Sequence, residues 1–142
     1  MADACNDALR EIFAVEARAH LAQVGAGLAL LADGGAATAL APMLHALHTL
    51  GGAARAVELR ELEWLCHALE RVLHAAPGAA LAPDHLDLLA DAVALAATLP
   101  GEPGGRSGQR ALTVVAQLDA LARQLGAAAG GDLQPAARIA TS

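Results

Sequence analysis

The residues best suited to chemistry lie in the stretch Leu44–Leu59, around His48. Apolar residues recur there at three- and four-residue steps, which predicts a helix with one stripe facing a core. The stripe consists of Leu40, Met43, Leu47, Leu50, Ala54 and Val57. His48 lies about 120° from the middle of this stripe, so we expect its imidazole to face water. A neutral imidazole nitrogen is a usable nucleophile toward phosphorus, which makes His48 a candidate phosphoryl acceptor.

Two consecutive glycines, Gly51 and Gly52, follow His48 by one helical turn. Each glycine in a helix interior costs roughly 0.5 to 1 kcal/mol relative to alanine, so we interpret the pair as clearance around the imidazole. The alternative is that the helix ends at Leu50, with Gly51 as its C-cap. Because the helical pattern continues to Val57, we favour a helix that runs through both glycines.

A second polar helix face follows a predicted turn near Val57 and Glu58. Its members are Glu63, His67, Glu70 and His74. In a hairpin that turns there, His48 is expected to be level with His67. A carboxylate from Glu70 would accept a hydrogen bond from one nitrogen of His48 and stabilise the positive charge that develops as the other nitrogen attacks. An ordinary solvated face is the alternative interpretation of His67 and Glu70.

The composition of the 142-residue chain predicts one all-α domain, because alanine and leucine dominate and aromatic and β-branched residues are few. A net charge of -6 argues against a nucleic-acid partner. Cys5 and Cys66 are too few for a disulfide framework or a zinc site, and we interpret Cys66 as a packing residue. The chain begins without a basic or apolar targeting segment and contains no membrane-length apolar stretch. We therefore expect a cytoplasmic protein without membrane insertion.

The periodicity and the helix-breaking residues predict five helices. The first runs from Asn6 or Asp7 to Ala32, the second opens between Thr38 and Pro42, the third closes at Pro77 and Gly78, the fourth runs from Pro83 to a linker at Pro100–Gly105, and the fifth runs from Ser107 to Leu125. We predict an antiparallel four-helix bundle (core about 7–99) with a fifth, accessory C-terminal helix (about 107–125). Residues 1–125 then form the domain, and residues 126–142 form a flexible tail or linker.

Residues 48–54, reading His-Thr-Leu-Gly-Gly-Ala-Ala, resemble the His-x-x-Lys-Gly-Ser/Gly-Ala signature of histidine phosphotransfer (HPt) domains. The similarity is greatest to the amino-terminal domain of the chemotaxis kinase CheA and to its relatives in type IV pilus signalling. Residues 13–17 resemble the Phe-x-x-Glu-Ala segment of the family's first helix. His67 and Glu70 stand where CheA has a histidine and the glutamate that orients its phosphorylated histidine. The resemblance covers roughly Leu9 to His74.

The resemblance implies a phosphocarrier in a two-component or chemotaxis-type phosphorelay. A histidine kinase catalytic domain, with its own ATP and Mg, would phosphorylate His48, and the aspartate of a response-regulator receiver domain would take the phosphoryl group. Glu70 would orient His48, His67 would support it, and Gly52 would leave room for the approaching domain. The chain has no glycine-rich nucleotide signature, so we expect no cofactor on it. The sequence fits either a free protein or the start of a longer kinase.

One departure from the family concerns the lysine that normally follows the histidine by three residues, because Gly51 stands there and the chain has no lysine. Arg55, further along the same face, is the expected substitute, since a guanidinium forks well onto phosphate oxygens. His45 is a second candidate for contact with an acidic partner, although a partly buried histidine is the simpler interpretation. The departure also favours an alternative function, a pseudo-HPt module that docks on a kinase or receiver domain without accepting phosphate.

A metal-binding helical bundle is a weaker alternative. It would use Glu16 with His20, or the carboxylates and histidines of the face that contains Glu63 and His74. Di-iron bundles use Glu-x-x-His pairs, and this chain has none; residues four apart are ordinary neighbours on a helix surface.

Overall fold

The computed structural model describes the backbone of residues 2–34, 37–75, 81–101 and 105–141, and the side chains of residues 7–34, 38–75, 81–101 and 105–127. This part of the chain is helical and contains no strand. The helices are α1 (Ala2–Ala32), α2 (Leu40–Ala56, after a 3-10 turn at Ala37–Ala39), α3 (Arg60–Ala75), α4 (Pro83–Thr98) and α5 (Gly105–Thr141). The predicted all-α class is confirmed.

Local sequence signals set the bounds of α2 and α4. Helix α2 begins at Leu40, which keeps Pro42 in the first turn, where its missing N–H costs nothing. It continues through the glycine pair to Ala56, so the alternative in which it ends at Leu50 is wrong. Helix α4 begins at Pro83, as predicted, because the fixed φ of proline suits the first helical position.

Helix α5 differs from the prediction at both ends. It begins at Gly105, two residues before Ser107, and Gly105 adopts a φ of +61° as the chain enters the helix. Its backbone stays helical to Thr141, so the predicted end at Leu125 is wrong. A glycine at 126 costs only about 1 kcal/mol in a helix, and the three alanines that follow it are the strongest helix formers. The predicted end of the third helix, at residues 77 and 78, lies outside the described residues.

Helices α2 and α3 form an antiparallel hairpin joined by Val57–Leu59. Glu58 takes the left-handed conformation with a φ of +63°, and the N–H of Leu59 donates to the carbonyl of Ala54 over 2.9 Å. Both features lengthen the connection, so that α3 begins only at Arg60. The expected level of His48 is therefore wrong by one turn: His48 lies opposite Glu70, and Gly51 lies opposite His67.

One apolar core joins all five helices. Helix α1 packs against α2 and α4, and α3 packs against α2, α4 and α5. Helix α5 runs parallel to α3, since Gly108 faces Glu61 near its start and Asp119 pairs with Arg71 at 2.7 Å further along. Its contribution to the core consists of Ala111, Val114, Leu118, Leu121 and Leu125. Helix α5 is therefore an integral part of the fold, although we expected an accessory element.

None of the helices in the described ranges combines the length and the apolar character that crossing a membrane requires.

Candidate functional site

His48 projects from the middle of α2 into solvent. Its neighbours Leu47 and Leu50 are fully buried and hold α2 against the core. This packing turns the face of His48 outward, and 84% of its side chain is exposed. The prediction that the imidazole faces water is confirmed.

Glu70 stands beside His48 on α3. Its Oε1 lies 3.6 Å from Nδ1 of His48, while only 17% of the Glu70 side chain is exposed. This separation is slightly longer than a hydrogen bond, and such contacts in unliganded sites commonly shorten when the reactants bind. Because the carboxylate lies on the Nδ1 side of the exposed ring, Nε2 is the nitrogen left for a phosphoryl donor. A shortened contact at Nδ1 would then hold the ring for attack by Nε2.

The two glycines of α2 have different surroundings. A Cβ added to Gly52 would meet no atom within 4 Å, so the outer surface beside His48 is open. Gly51 is buried, and a Cβ there would lie 3.3 Å from Nε2 of His67 and 3.4 Å from Cβ of Cys66. Only Gly52 gives clearance to the outside. Gly51 instead allows α3 to approach α2, a contact that we did not predict from the sequence because it depends on the register of the hairpin.

The other predicted contact residues lie further along the exposed surface of α2. Arg55 is exposed in the last turn, seven residues after His48. His45 is exposed one turn before His48, so the interpretation as a partly buried histidine is wrong; it shares the outward face of the helix. His67 is half-buried between the two helices. Among the described residues, neither Arg55 nor His45 belongs to an ion pair.

Cys66 lies beneath the site and is fully buried. Burial raises the pKa of its thiol from 9.0 to about 12, and the charges of Glu70 and Glu63 contribute in the same direction. A thiol that stays protonated is a poor nucleophile and a poor metal ligand. This environment agrees with the interpretation of Cys66 as a packing residue.

The described residues contain no group of three or more His, Cys, Asp or Glu side chains arranged to hold a metal ion. Glu16, His20, Glu63 and His74, which the metal-binding alternative invoked, thus form no such group in this part of the chain.

The described helices thus present a solvent-exposed histidine beside a carboxylate on the next helix, an arrangement that suits a carrier of phosphoryl groups. The family model of the Hpt domain matches residues 8–98, from the first turns of α1 to the end of α4. This match covers more than half of the chain, which therefore belongs to the Hpt domain family and has a histidine phosphotransfer role in a phosphorelay. Comparisons with curated proteins and with solved structures give no significant match.

Proposed function

We propose that this chain accepts a phosphoryl group on His48 from an ATP-bound histidine kinase catalytic domain and passes it to the aspartate of a receiver domain. The observation that carries the proposal is the pairing of an exposed imidazole with a largely covered carboxylate, 3.6 Å apart, on two packed helices. The family match to residues 8–98 contains both residues and supports the same reaction.

In the forward step, the lone pair of Nε2 of His48 attacks the γ-phosphorus of ATP, which the kinase domain holds with Mg. The bond from phosphorus to the bridging oxygen breaks, and ADP leaves with its electron pair. The imidazole then carries positive charge, which Glu70 stabilises at the Nδ1 proton. In the return step, an aspartate oxygen of the receiver attacks phosphorus, the P–N bond breaks, and Nε2 recovers its lone pair.

We place this chemistry in a cytoplasmic, chemotaxis-type pathway, because residues 48–54 and the pair His67 and Glu70 resemble CheA and its pilus-signalling relatives. The proposed scaffold is an antiparallel four-helix bundle of α1 to α4, with α5 packed on α3. The open space outside Gly52 supports the approach of a partner domain, and exposed Arg55 and His45 flank that approach.

The test is incubation with a CheA-type kinase catalytic domain and labelled ATP, followed by measurement of acid-labile phosphate. We expect the wild type and His74→Gln to be labelled and His48→Gln to remain unlabelled. His74→Gln is a matched control, because it removes an exposed imidazole of the neighbouring helix α3 to which the proposal gives no role. Equal labelling of His48→Gln and the wild type would contradict the assignment of His48.

A docking module that carries no phosphate is the second candidate. It is favoured by Gly51, which stands at the family's lysine position and whose space is closed by the imidazole of His67. On this alternative, the wild type binds a receiver or kinase domain, binding survives His48→Gln, and no competent kinase labels either protein. Labelling of the wild type at His48 would exclude it.

A further inference from the structure

Helix α1 leaves an apolar surface uncovered. Six large apolar side chains are exposed in the described part of the chain, and four of them belong to α1: Leu9, Ile12, Val15 and Leu30. Between 55% and 60% of each of these four residues is exposed. Scattered single apolar residues are normal on a protein surface, but a concentration of them on one helix indicates a contact surface.

These residues follow one stripe on the side of α1 opposite the core. The stripe advances by alternating steps of three and four residues, and all of its members are exposed: Ile12, Val15, Ala19, Ala22, Ala26 and Ala29. Leu9 and Leu30 lie at its edges. The buried residues of the same helix, such as Ala17 and Leu21, point the other way. An apolar repeat that averages 3.5 residues is the pattern by which two helices pair in a coiled coil, so this α1 stripe suits a second helix lying along it.

We propose that a second copy of this chain covers the α1 stripe, with the two α1 helices antiparallel and the two-fold axis between residues 20 and 21. The large side chains lie in the first half of the stripe, and only alanines lie in the second half. A two-fold axis therefore sets large residues against small ones, with Ile12 opposite Ala29 and Val15 opposite Ala26 of the second copy. The stripe is complementary to its own reverse, which favours a second copy as its occupant.

The residues beside the stripe favour this antiparallel alignment. It sets Glu16 opposite Gln23 of the second copy, and the amide can donate a hydrogen bond to the carboxylate. It also sets Leu9 opposite Leu30, so that all four exposed side chains are covered. A parallel pair would instead bring Glu11 beside Glu16 of the second copy at two places, and like charges there oppose association.

The contact is long enough for a weak dimer. Residues 9–30 span about 33 Å of helix, and covering this length removes roughly 600 Å² per chain from water, or about 1,200 Å² in total, the lower limit of a specific interface. We expect a Kd on the order of 10 µM. His48 stays exposed in both copies, because it adjoins Glu70 of α3 whereas the stripe lies on α1. The inference is therefore independent of the proposed phosphorylation.

The first test is sedimentation equilibrium of the full chain from roughly 1 to 300 µM, a range that brackets the expected Kd. Val15→Asp should weaken association at least thirtyfold, because it places a carboxylate without a partner in the contact. Leu112→Asp is the matched control: it makes the same kind of change at an exposed apolar residue of α5 and should associate like the wild type. Circular dichroism of both variants checks that the fold is retained.

The second test examines the pair formed by Glu16 and Gln23. Gln23→Arg should tighten the dimer roughly fivefold at low salt, because two new ion pairs form across the two-fold axis. Gln23→Glu should weaken it by a similar factor, because it sets two carboxylates opposite each other at each place.

The third test examines the direction of the helices in a Cys5→Ala background. A short bismaleimide should cross-link a mixture of Leu9→Cys and Leu30→Cys chains, because these positions lie opposite each other. Neither variant should cross-link alone, since like positions of the antiparallel pair lie about 30 Å apart along the helix.

A wild type that stays monomeric throughout the concentration range would overturn the proposal. If such a monomer binds a kinase or receiver domain and Val15→Asp abolishes that binding, the stripe belongs to the other protein and not to a second copy. Equal association of Val15→Asp and Leu112→Asp would place any dimer contact elsewhere. Cross-linking of Leu9→Cys alone would show a parallel pair and overturn the proposed alignment.

Discussion

His48 differs from the other exposed histidines in the group that stands behind it. His45 and His74 are also exposed on the same pair of helices, but neither of them forms an ion pair in the described structure. His48 has the carboxylate of Glu70, which is more covered than an ordinary surface glutamate. A carboxylate with little water around it interacts more strongly with a neighbouring charge than an exposed one. The reactivity proposed for His48 thus depends on its partner more than on its own exposure.

At the residue scale, we predict that Glu70→Gln slows phosphorylation of His48 by a kinase domain roughly tenfold while leaving the fold intact. Glutamine keeps the shape of the side chain but removes the negative charge that stabilises the imidazole during attack. The measurement is the initial rate of labelling from ATP. Glu63→Gln, on the same face of α3 two turns earlier, is the control and should label normally. Equal rates for the two variants would remove Glu70 from the mechanism.

At the element scale, the features that could be predicted from the sequence are those set by residues close together in the chain. A proline at a helix start and an apolar stripe are features of a single helix, and they correctly predicted the start of α4 and the outward direction of His48. The register of the α2–α3 hairpin depends on Glu58, a non-glycine residue with a positive φ, and no sequence pattern predicts this conformation. The role of α5 was underestimated for a similar reason, since its packing on α3 is a contact between residues about 48 positions apart.

The close approach of α1 to α2 gives a second prediction at this scale. A Cβ on Gly27 would overlap the side chain of Met43, which is fully buried and has no solvent to move into. We expect Gly27→Ala to lower the free energy of unfolding by about 1 to 2 kcal/mol, because overpacking outweighs the gain in helix propensity. Gly25→Ala, two residues earlier with an open Cβ position, should raise it by about 0.5 to 1 kcal/mol.

Urea denaturation followed by circular dichroism measures both variants. A stabilising Gly27→Ala would mean that α1 and α2 do not approach each other as closely as the fold requires.

At the scale of the whole molecule, the composition allows the ionisation of the cysteine thiols to be measured without interference from other side chains. The nine basic side chains are all arginine, and the chain contains neither lysine nor tyrosine. Arginine stays charged to above about pH 12, so the only side chains that titrate between about pH 9 and pH 12 are Cys5 and Cys66. The alkaline behaviour of this protein therefore reports on thiols, and in a Cys5→Ala background on Cys66 alone.

We predict that stability in this background falls as the pH rises from about 9 toward 12. Burial holds the pKa of Cys66 at about 12, against 9.0 for an exposed thiol, so in this window the unfolded chain loses a proton that the native state keeps. The unfolded state then binds fewer protons, and the free energy of unfolding declines by at most about 1.4 kcal/mol per pH unit. Below pH 9 both the native and the unfolded state hold the thiol proton, so Cys66 gives stability no dependence on pH.

Urea denaturation at a series of pH values measures this decline in the free energy of unfolding. Cys66→Ala should abolish the decline, even though the lost packing lowers stability at every pH. A slope of the same size with and without Cys66 would mean that α2 and α3 do not bury this thiol, and hence that they do not pack around the His48 site as closely as described.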